Sequence, residues 1–96
     1  MNGRDESVAK RLIEALDLSP HPEGGWYRET WRAPAVPEQR AGGTAIYFLL
    51  EVHQHSHWHS VDADEHWLWH AGAPLMLSMA REGKAVKDRL LGADVL

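Results

Sequence analysis

Turns that contain proline and glycine divide the chain after residue 18 into short segments. The first turn is Ser19-Pro20-His21-Pro22-Glu23-Gly24-Gly25, and a loop over residues 33–43 adds two prolines and a glycine pair. Two later turns lie at Ala71-Gly72-Ala73 and Glu82-Gly83-Lys84. A helix cannot continue through proline, and paired glycines favour turns. The sequence therefore predicts one helix before the first turn and short strands after it.

The helix is predicted over about residues 5–18, where apolar side chains recur at the spacing of an amphipathic helix. Six strands are predicted after it, at residues 26–32, 44–50, 57–61, 65–70, 74–80 and 85–91. The segment 44–50 is apolar throughout, which is typical of a strand buried on both faces. Short strands at close spacing after a single helix favour an antiparallel barrel or sandwich.

The composition limits the class of protein. Ninety-six residues suffice for one domain, and a formal net charge of −4 without a Lys/Arg run argues against a nucleic-acid partner. Cysteine is absent, so neither a disulfide nor a thiolate metal site can form. No apolar run approaches the roughly 18 residues that span a bilayer, and the N-terminus lacks a signal-peptide core. We expect a cytoplasmic protein with no membrane partner.

Histidines are concentrated between residues 53 and 70, where six of the seven lie. His57 and His59 alternate along a predicted strand, so both side chains are expected on one face, roughly 6.5–7 Å apart. Two imidazoles at this spacing can converge on one ion or one polar ligand, and Glu65 from a neighbouring strand can add a carboxylate oxygen. The alternative is that the two histidines only form hydrogen bonds in a polar cavity that holds an organic ligand.

Three further side chains are candidate ligand-binding residues. Glu23 lies between two prolines and two glycines, where its carboxylate can bind a ligand or cap the N–H groups of the turn. Trp67 and Trp69 share a predicted strand face with Glu65. They can form an aromatic wall for a planar or sugar-like ligand, or they can pack in the core as most tryptophans do.

Three blocks of the sequence resemble a known family. Leu18–Thr30 is similar to the opening signature of the domain-of-unknown-function 985 family (Cupin_5) in the cupin superfamily, and Gly43–Leu50 resembles its second block. The third block is Ser56–Glu65 with Trp67, Gly72, Pro74 and Leu75. The resemblance implies a mainly β fold with one N-terminal amphipathic helix. It also implies a single cupin-like domain over residues 1–96, built as a partial antiparallel β-barrel or RmlC-like jelly roll.

The same resemblance bears on the ligands. The wider cupin pattern is His-x-His, a few residues, Glu, six residues and Gly, which His57, His59, Glu65 and Gly72 match with five residues in the first gap. In metal-binding cupins the matching His, His and Glu positions are ligands. The resemblance therefore implies His57, His59 and Glu65 as candidate ligands of one divalent ion, such as Zn, Fe, Ni or Mn.

Relatives of this kind continue past the end of this sequence into a second cupin motif that supplies one more histidine. That motif is missing here, so we expect a C-terminally truncated chain. The last ligand would then come from His21, His55, His70 or a neighbouring subunit. An open barrel needs its edge strands paired, and the resemblance implies dimers, so we also expect a homodimer.

These observations predict a small-molecule-binding cupin. Its function is expected to be that of a metal-dependent enzyme, or of an acid–base enzyme that uses His and Glu, on a small polar or sugar-like metabolite. The alternatives are a non-catalytic ligand-binding or sensing module, and a truncated fragment without function. No phosphate-binding glycine loop, serine nucleophile elbow or cysteine nucleophile is present, so catalytic residues stay unassigned.

Overall fold

The computed structural model describes residues 3–94, with side chains described from Val8 onward. In this part of the chain, helix α1 covers Gly3–Ala15 and five strands follow it. The strands are β1 Ser19–Pro20, β2 Trp26–Arg32, β3 Thr44–Leu49, β4 Leu75–Met79 and β5 Lys87–Leu91. Every pair of strands is antiparallel. The predicted mainly β architecture with one N-terminal helix is confirmed.

The chain divides into two compact units, one up to Ser60 and one from Val61. The first unit contains α1 and a three-stranded sheet in the order β1-β2-β3. The second unit contains the β4–β5 hairpin. Among the candidate site residues, Glu23, His57 and His59 belong to the first unit, and Glu65, Trp67 and Trp69 belong to the second.

Helix α1 is closed by a left-handed residue, Asp17, whose φ is 54°. The Leu18 N–H donates to the Ile13 carbonyl at 2.9 Å, and the Asp17 N–H donates to the Glu14 carbonyl at 3.2 Å. These two bonds form a Schellman motif, which satisfies carbonyls that the end of a helix leaves without partners. Leu18 is buried, with 7% of its surface exposed. The helix therefore ends before the predicted boundary at residue 18, because Asp17 leaves the helical conformation.

Strand β2 is the centre of the first sheet and confirms the strand predicted at residues 26–32. It pairs with β3 from Trp26 opposite Leu49 onward, with a bulge between Glu29 and Trp31. Its other neighbour, β1, has only two residues and lies within the stretch that the sequence predicts as a turn. The turn prediction missed β1 because a proline is tolerated on an edge strand.

Strand β3 confirms the strand predicted at residues 44–50 up to Leu49, but the expected burial on both faces is wrong. Ile46 and Tyr47, which point to opposite faces, are 45% and 43% exposed. Strand β3 is an edge strand with β2 as its partner. An apolar strand is buried on both faces only where further layers of structure cover both, and these two side chains remain partly exposed.

The hairpin of the second unit confirms the strands predicted at 74–80 and 85–91, with slightly later starts. Strand β4 pairs with β5 from Leu75 opposite Leu91 to Met79 opposite Lys87. Between the strands, Gly83 has a φ of 74°, as the predicted turn requires. The hairpin is therefore specified by local turn chemistry and by cross-strand pairing.

Two predicted strands, residues 57–61 and 65–70, are irregular in the structure, so these predictions are wrong. Both segments alternate in side-chain character, but a strand also needs a neighbour that takes up its backbone hydrogen bonds. In the described ladders neither segment has such a neighbour. As for membrane spans, residues 3–94 include no helix that is both long and apolar enough to cross a bilayer.

Candidate functional site

The turn between β1 and β2, residues 21–25, is held by its own backbone; we call it the glycine loop. The His21 N–H donates to the Gly25 carbonyl at 2.8 Å, and the Gly24 N–H donates back to the His21 carbonyl at 3.1 Å. The Glu23 N–H donates to Nδ1 of the His21 imidazole at 3.0 Å. The loop therefore has a defined shape, as its proline and glycine content predicts.

Its two glycines allow another part of the chain to lie directly against it. Gly24 and Gly25 have φ values of 109° and 80°. A Cβ atom at Gly24 would overlap the carbonyl oxygen of His55, and one at Gly25 would lie 2.8 Å from the Leu49 carbonyl oxygen. Side chains at these positions are thus excluded by both backbone conformation and space.

The segment that lies against the loop is residues 55–59, which we call the histidine segment. The His57 N–H donates to the Glu23 carbonyl at 2.6 Å. The backbone of Glu23 thereby holds His21 on one side and His57 on the other. A hydrogen bond between main-chain groups therefore joins two motifs that lie far apart in the sequence.

The imidazoles of the histidine segment lie close together. The rings of His55 and His57 are 4.8 Å apart between centroids, at 74° to each other. Nδ1 of His59 lies 2.7 Å from the His57 carbonyl oxygen. A carbonyl oxygen can only accept, so the proton is on Nδ1 and the lone pair of His59 is on Nε2. The geometry comes from an irregular segment, so the expected strand alternation of His57 and His59 does not apply.

His21 and Glu51 are two side chains with specific contacts that the sequence did not reveal. The His21 ring packs edge-on against Tyr27 and Phe48, with centroid distances of 4.8 Å and 5.3 Å. Glu51 accepts from Nε1–H of Trp26 at 3.0 Å, and its own N–H donates to the side-chain oxygen of Gln54 at 3.0 Å. Glu51 follows directly after an apolar strand, a position where a half-buried carboxylate signals a specific partner.

In the second unit, Glu65 and Trp67 form a side-chain pair. Nε1–H of Trp67 donates to Oε1 of Glu65 at 2.7 Å, and Nε1–H of Trp69 donates to the Ala73 carbonyl at 3.3 Å. The contact of Glu65 with Trp67 is therefore direct, whereas the sequence predicts a shared strand face for Glu65, Trp67 and Trp69. It arises without a strand, since residues 65–70 are irregular.

A comparison with protein-family models adds to this geometry. The model described as Cupin superfamily (DUF985), named Cupin_5, matches residues 10–96. This chain belongs to that family. A search of curated proteins gave no significant match. The family match and the antiparallel strands together support a partial cupin β-sandwich, which confirms the fold expected from the three sequence blocks.

A metal ion is the cofactor that the cupin pattern implies, and its fit can be tested on the donor atoms. Nε2 of His59 has the free lone pair of a ligating imidazole whose other nitrogen donates to a carbonyl. However, among the side chains that the structure describes, from Val8 to Asp94, no three His, Asp or Glu residues within either unit are placed where they could share one ion. A catalytic zinc site of the usual kind has three protein ligands, so the described side chains of neither unit by themselves fit one.

Proposed function

We propose that this cupin binds a small polar molecule at the histidine segment, residues 55–59, beside the glycine loop. The observation that carries the proposal is the hydrogen bond of 2.6 Å from the His57 N–H to the Glu23 carbonyl. It fixes a segment of exposed imidazoles against a loop of defined shape. Preformed placement of polar groups lowers the ordering cost of binding, which is what ligand sites in general require.

The side chains favour a ligand rich in hydroxyl groups. Neutral imidazoles both donate and accept hydrogen bonds, and the carboxylate of Glu23 accepts them. The second unit is considered by itself: there the carboxylate of Glu65 holds the Trp67 indole, and we propose this pair as a separate contact for the apolar face of a sugar-like molecule. Trp69, whose indole N–H is bound to the backbone, is proposed for the same kind of contact.

If the site is catalytic, the imidazoles supply the chemistry. His59 has its proton fixed on Nδ1, so Nε2 can take a proton from a hydroxyl or carbon acid of the ligand. The His57 carbonyl then stabilises the resulting imidazolium through the same hydrogen bond. A site that only binds its ligand would use Nε2 as a hydrogen-bond acceptor and would show no turnover.

The proposal is tested by titrating the protein with sugars and hydroxy acids while recording its amide and imidazole NMR signals. We expect saturable shifts at His57 and His59, and affinity weakened about tenfold in His57→Gln and His59→Gln. The matched control is His53→Gln, an exposed histidine just outside the segment, which should bind as the wild type does. Equal loss in all three variants, or shifts at none of these residues, would refute the site.

The same titration separates metal-dependent binding from direct binding. Protein purified without a histidine tag is analysed for Zn, Fe, Ni and Mn, and is then titrated with and without chelator. Direct binding predicts less than about a tenth of an equivalent of metal and no effect of chelator. Binding that needs about one equivalent of metal, and is lost in Glu65→Gln, would instead favour the ligand set His57, His59 and Glu65.

We further propose that the working form is a homodimer in the cytoplasm. Ile46 and Tyr47 on the edge strand β3 are exposed to nearly half of their surface. Met76 and Leu90, which face each other across the β4–β5 hairpin, are exposed to more than half. Exposed apolar strands are commonly covered by another chain. Analytical ultracentrifugation at micromolar concentration should give twice the mass of the chain, and a stable monomer would contradict this part of the proposal.

A further inference from the structure

His21 occupies the junction between the glycine loop and the first sheet. Its ring lies edge-on to Tyr27 at 78° and to Phe48 at 77°, so the imidazole is held by packing. Nδ1 accepts the Glu23 N–H at 3.0 Å. Because Nδ1 accepts, the proton of the neutral ring is on Nε2. A packed ring with one fixed tautomer is a rigid support for the peptide group that it holds.

That support continues through Glu23 to the histidine segment. The N–H of Glu23 is held by His21, and the carbonyl of Glu23 accepts the His57 N–H at 2.6 Å. We propose that His21 is a positioning residue: it holds Glu23 in the orientation that fixes His57 in the ligand site. This inference rests on the proposed function and adds a residue that does not itself touch the ligand.

Two substitutions separate the hydrogen bond from the packing. In His21→Asn, Oδ1 stands where Nδ1 was and can accept the Glu23 N–H. In His21→Phe, the ring remains between Tyr27 and Phe48 but no acceptor is left. If His21 only packs between Tyr27 and Phe48, His21→Phe should disturb the His57 amide less than His21→Asn does. If His21 positions Glu23 through its hydrogen bond, His21→Phe should disturb that amide more.

The measurement is amide hydrogen exchange at His57 and Glu23 in the full chain, which needs no ligand. We expect exchange about five- to tenfold faster in His21→Phe and within about twofold of the wild type in His21→Asn. Wild-type protection in His21→Phe, or the same loss in both variants, would overturn the inference.

Binding of D-glucose and citrate as probes distinguishes this inference from the proposed function. If a probe binds the wild type, its affinity should fall in His21→Phe and be restored in His21→Asn. If the exchange pattern is as expected but neither probe binds, then His21 positions His57 and the proposed ligand class is wrong. A probe that binds all three proteins equally would overturn the positioning role and leave the proposed function intact.

Discussion

At Gly24 the lack of a side chain matters for two independent reasons. The backbone has a φ of 109°, which L residues rarely adopt, and a Cβ atom would overlap the His55 carbonyl oxygen. At Gly42 neither reason applies: φ is not in the left-handed region, and a Cβ atom built there meets nothing within 4 Å. The two glycines belong to the same unit and so form a natural pair for comparison.

We predict that Gly24→Ala lowers the free energy of unfolding by at least about 2 kcal/mol, from backbone strain and steric overlap together. It should also remove the protection of the His57 amide, because the segment must move away from the loop. Gly42→Ala should change stability by less than about 1 kcal/mol. Urea denaturation measures both, and similar values for the two variants would contradict the described contact.

The Glu65–Trp67 pair gives a second prediction at this scale. Glu65→Gln keeps an oxygen that can accept the indole N–H, whereas Glu65→Ala leaves that N–H to water. We expect a large change in the Trp67 indole NMR signal in Glu65→Ala and a small one in Glu65→Gln. Glu82→Ala, an exposed carboxylate of the same unit, should leave the signal unchanged.

Among the elements, the last turn of helix α1 is held by a left-handed residue and by a hydrogen bond from the sheet. Asp17 adopts the left-handed conformation of the Schellman motif, where glycine is the usual residue. Arg28 on β2 donates from a guanidinium nitrogen to the Leu16 carbonyl at 3.1 Å. A cation at the end of a helix interacts favourably with its dipole, whereas the carboxylate of Asp17 does not.

We predict that Asp17→Gly stabilises the protein by about 0.5–1 kcal/mol, because glycine adopts this conformation without strain. Asp17→Asn removes the charge but keeps a side chain that tolerates the conformation, so it should gain only about 0.3–0.5 kcal/mol. Ala15→Gly, within the helix, should lose about 0.5–1 kcal/mol. Thermal unfolding ranks the stabilities of the variants, and destabilisation by Asp17→Gly would argue against the Schellman motif.

Strands were predictable from the sequence where proline and glycine bound them. The sequence places β2 correctly because the glycine pair at 24–25 and Pro34 mark its limits. It places strands wrongly at 57–61 and 65–70, since alternation of side chains does not reveal whether a pairing partner exists. The site was predictable only in part for the same reason. The sequence shows that His57 and Glu23 have side chains suited to binding, but it does not show their main-chain hydrogen bond, which depends on tertiary structure.

Across the whole molecule, the two units are separated at an exposed and irregular stretch of chain. Ser60 and Val61 mark the boundary, and residues 57–66 are exposed. Trp58 and Leu68 on either side are 66% and 77% exposed. Irregular exposed segments are the preferred sites of proteolytic cleavage, because the chain there can enter a protease without disrupting a sheet.

We predict that limited digestion with chymotrypsin cuts first after Trp58 and Leu68, and only later after Tyr27 or Phe48, which lie half-buried in strands. Mass spectrometry of the early fragments identifies the sites. Trp58→Ser should abolish the first of these cuts and leave the second. Early cleavage within β2 or β3 would contradict the described sheet.

The hydrogen bond between His57 and Glu23 also has a consequence for the order of folding. The two residues lie 34 positions apart, and closing a loop of that length costs about 3 kcal/mol of chain entropy. Helix α1 and the short β1–β2 hairpin need only local contacts and can form while the rest of the chain is still being synthesised. The histidine segment leaves the ribosome later and can join only a loop that is already shaped. We therefore expect the binding segment to acquire its conformation after the glycine loop, on a template that the earlier half of the chain has built.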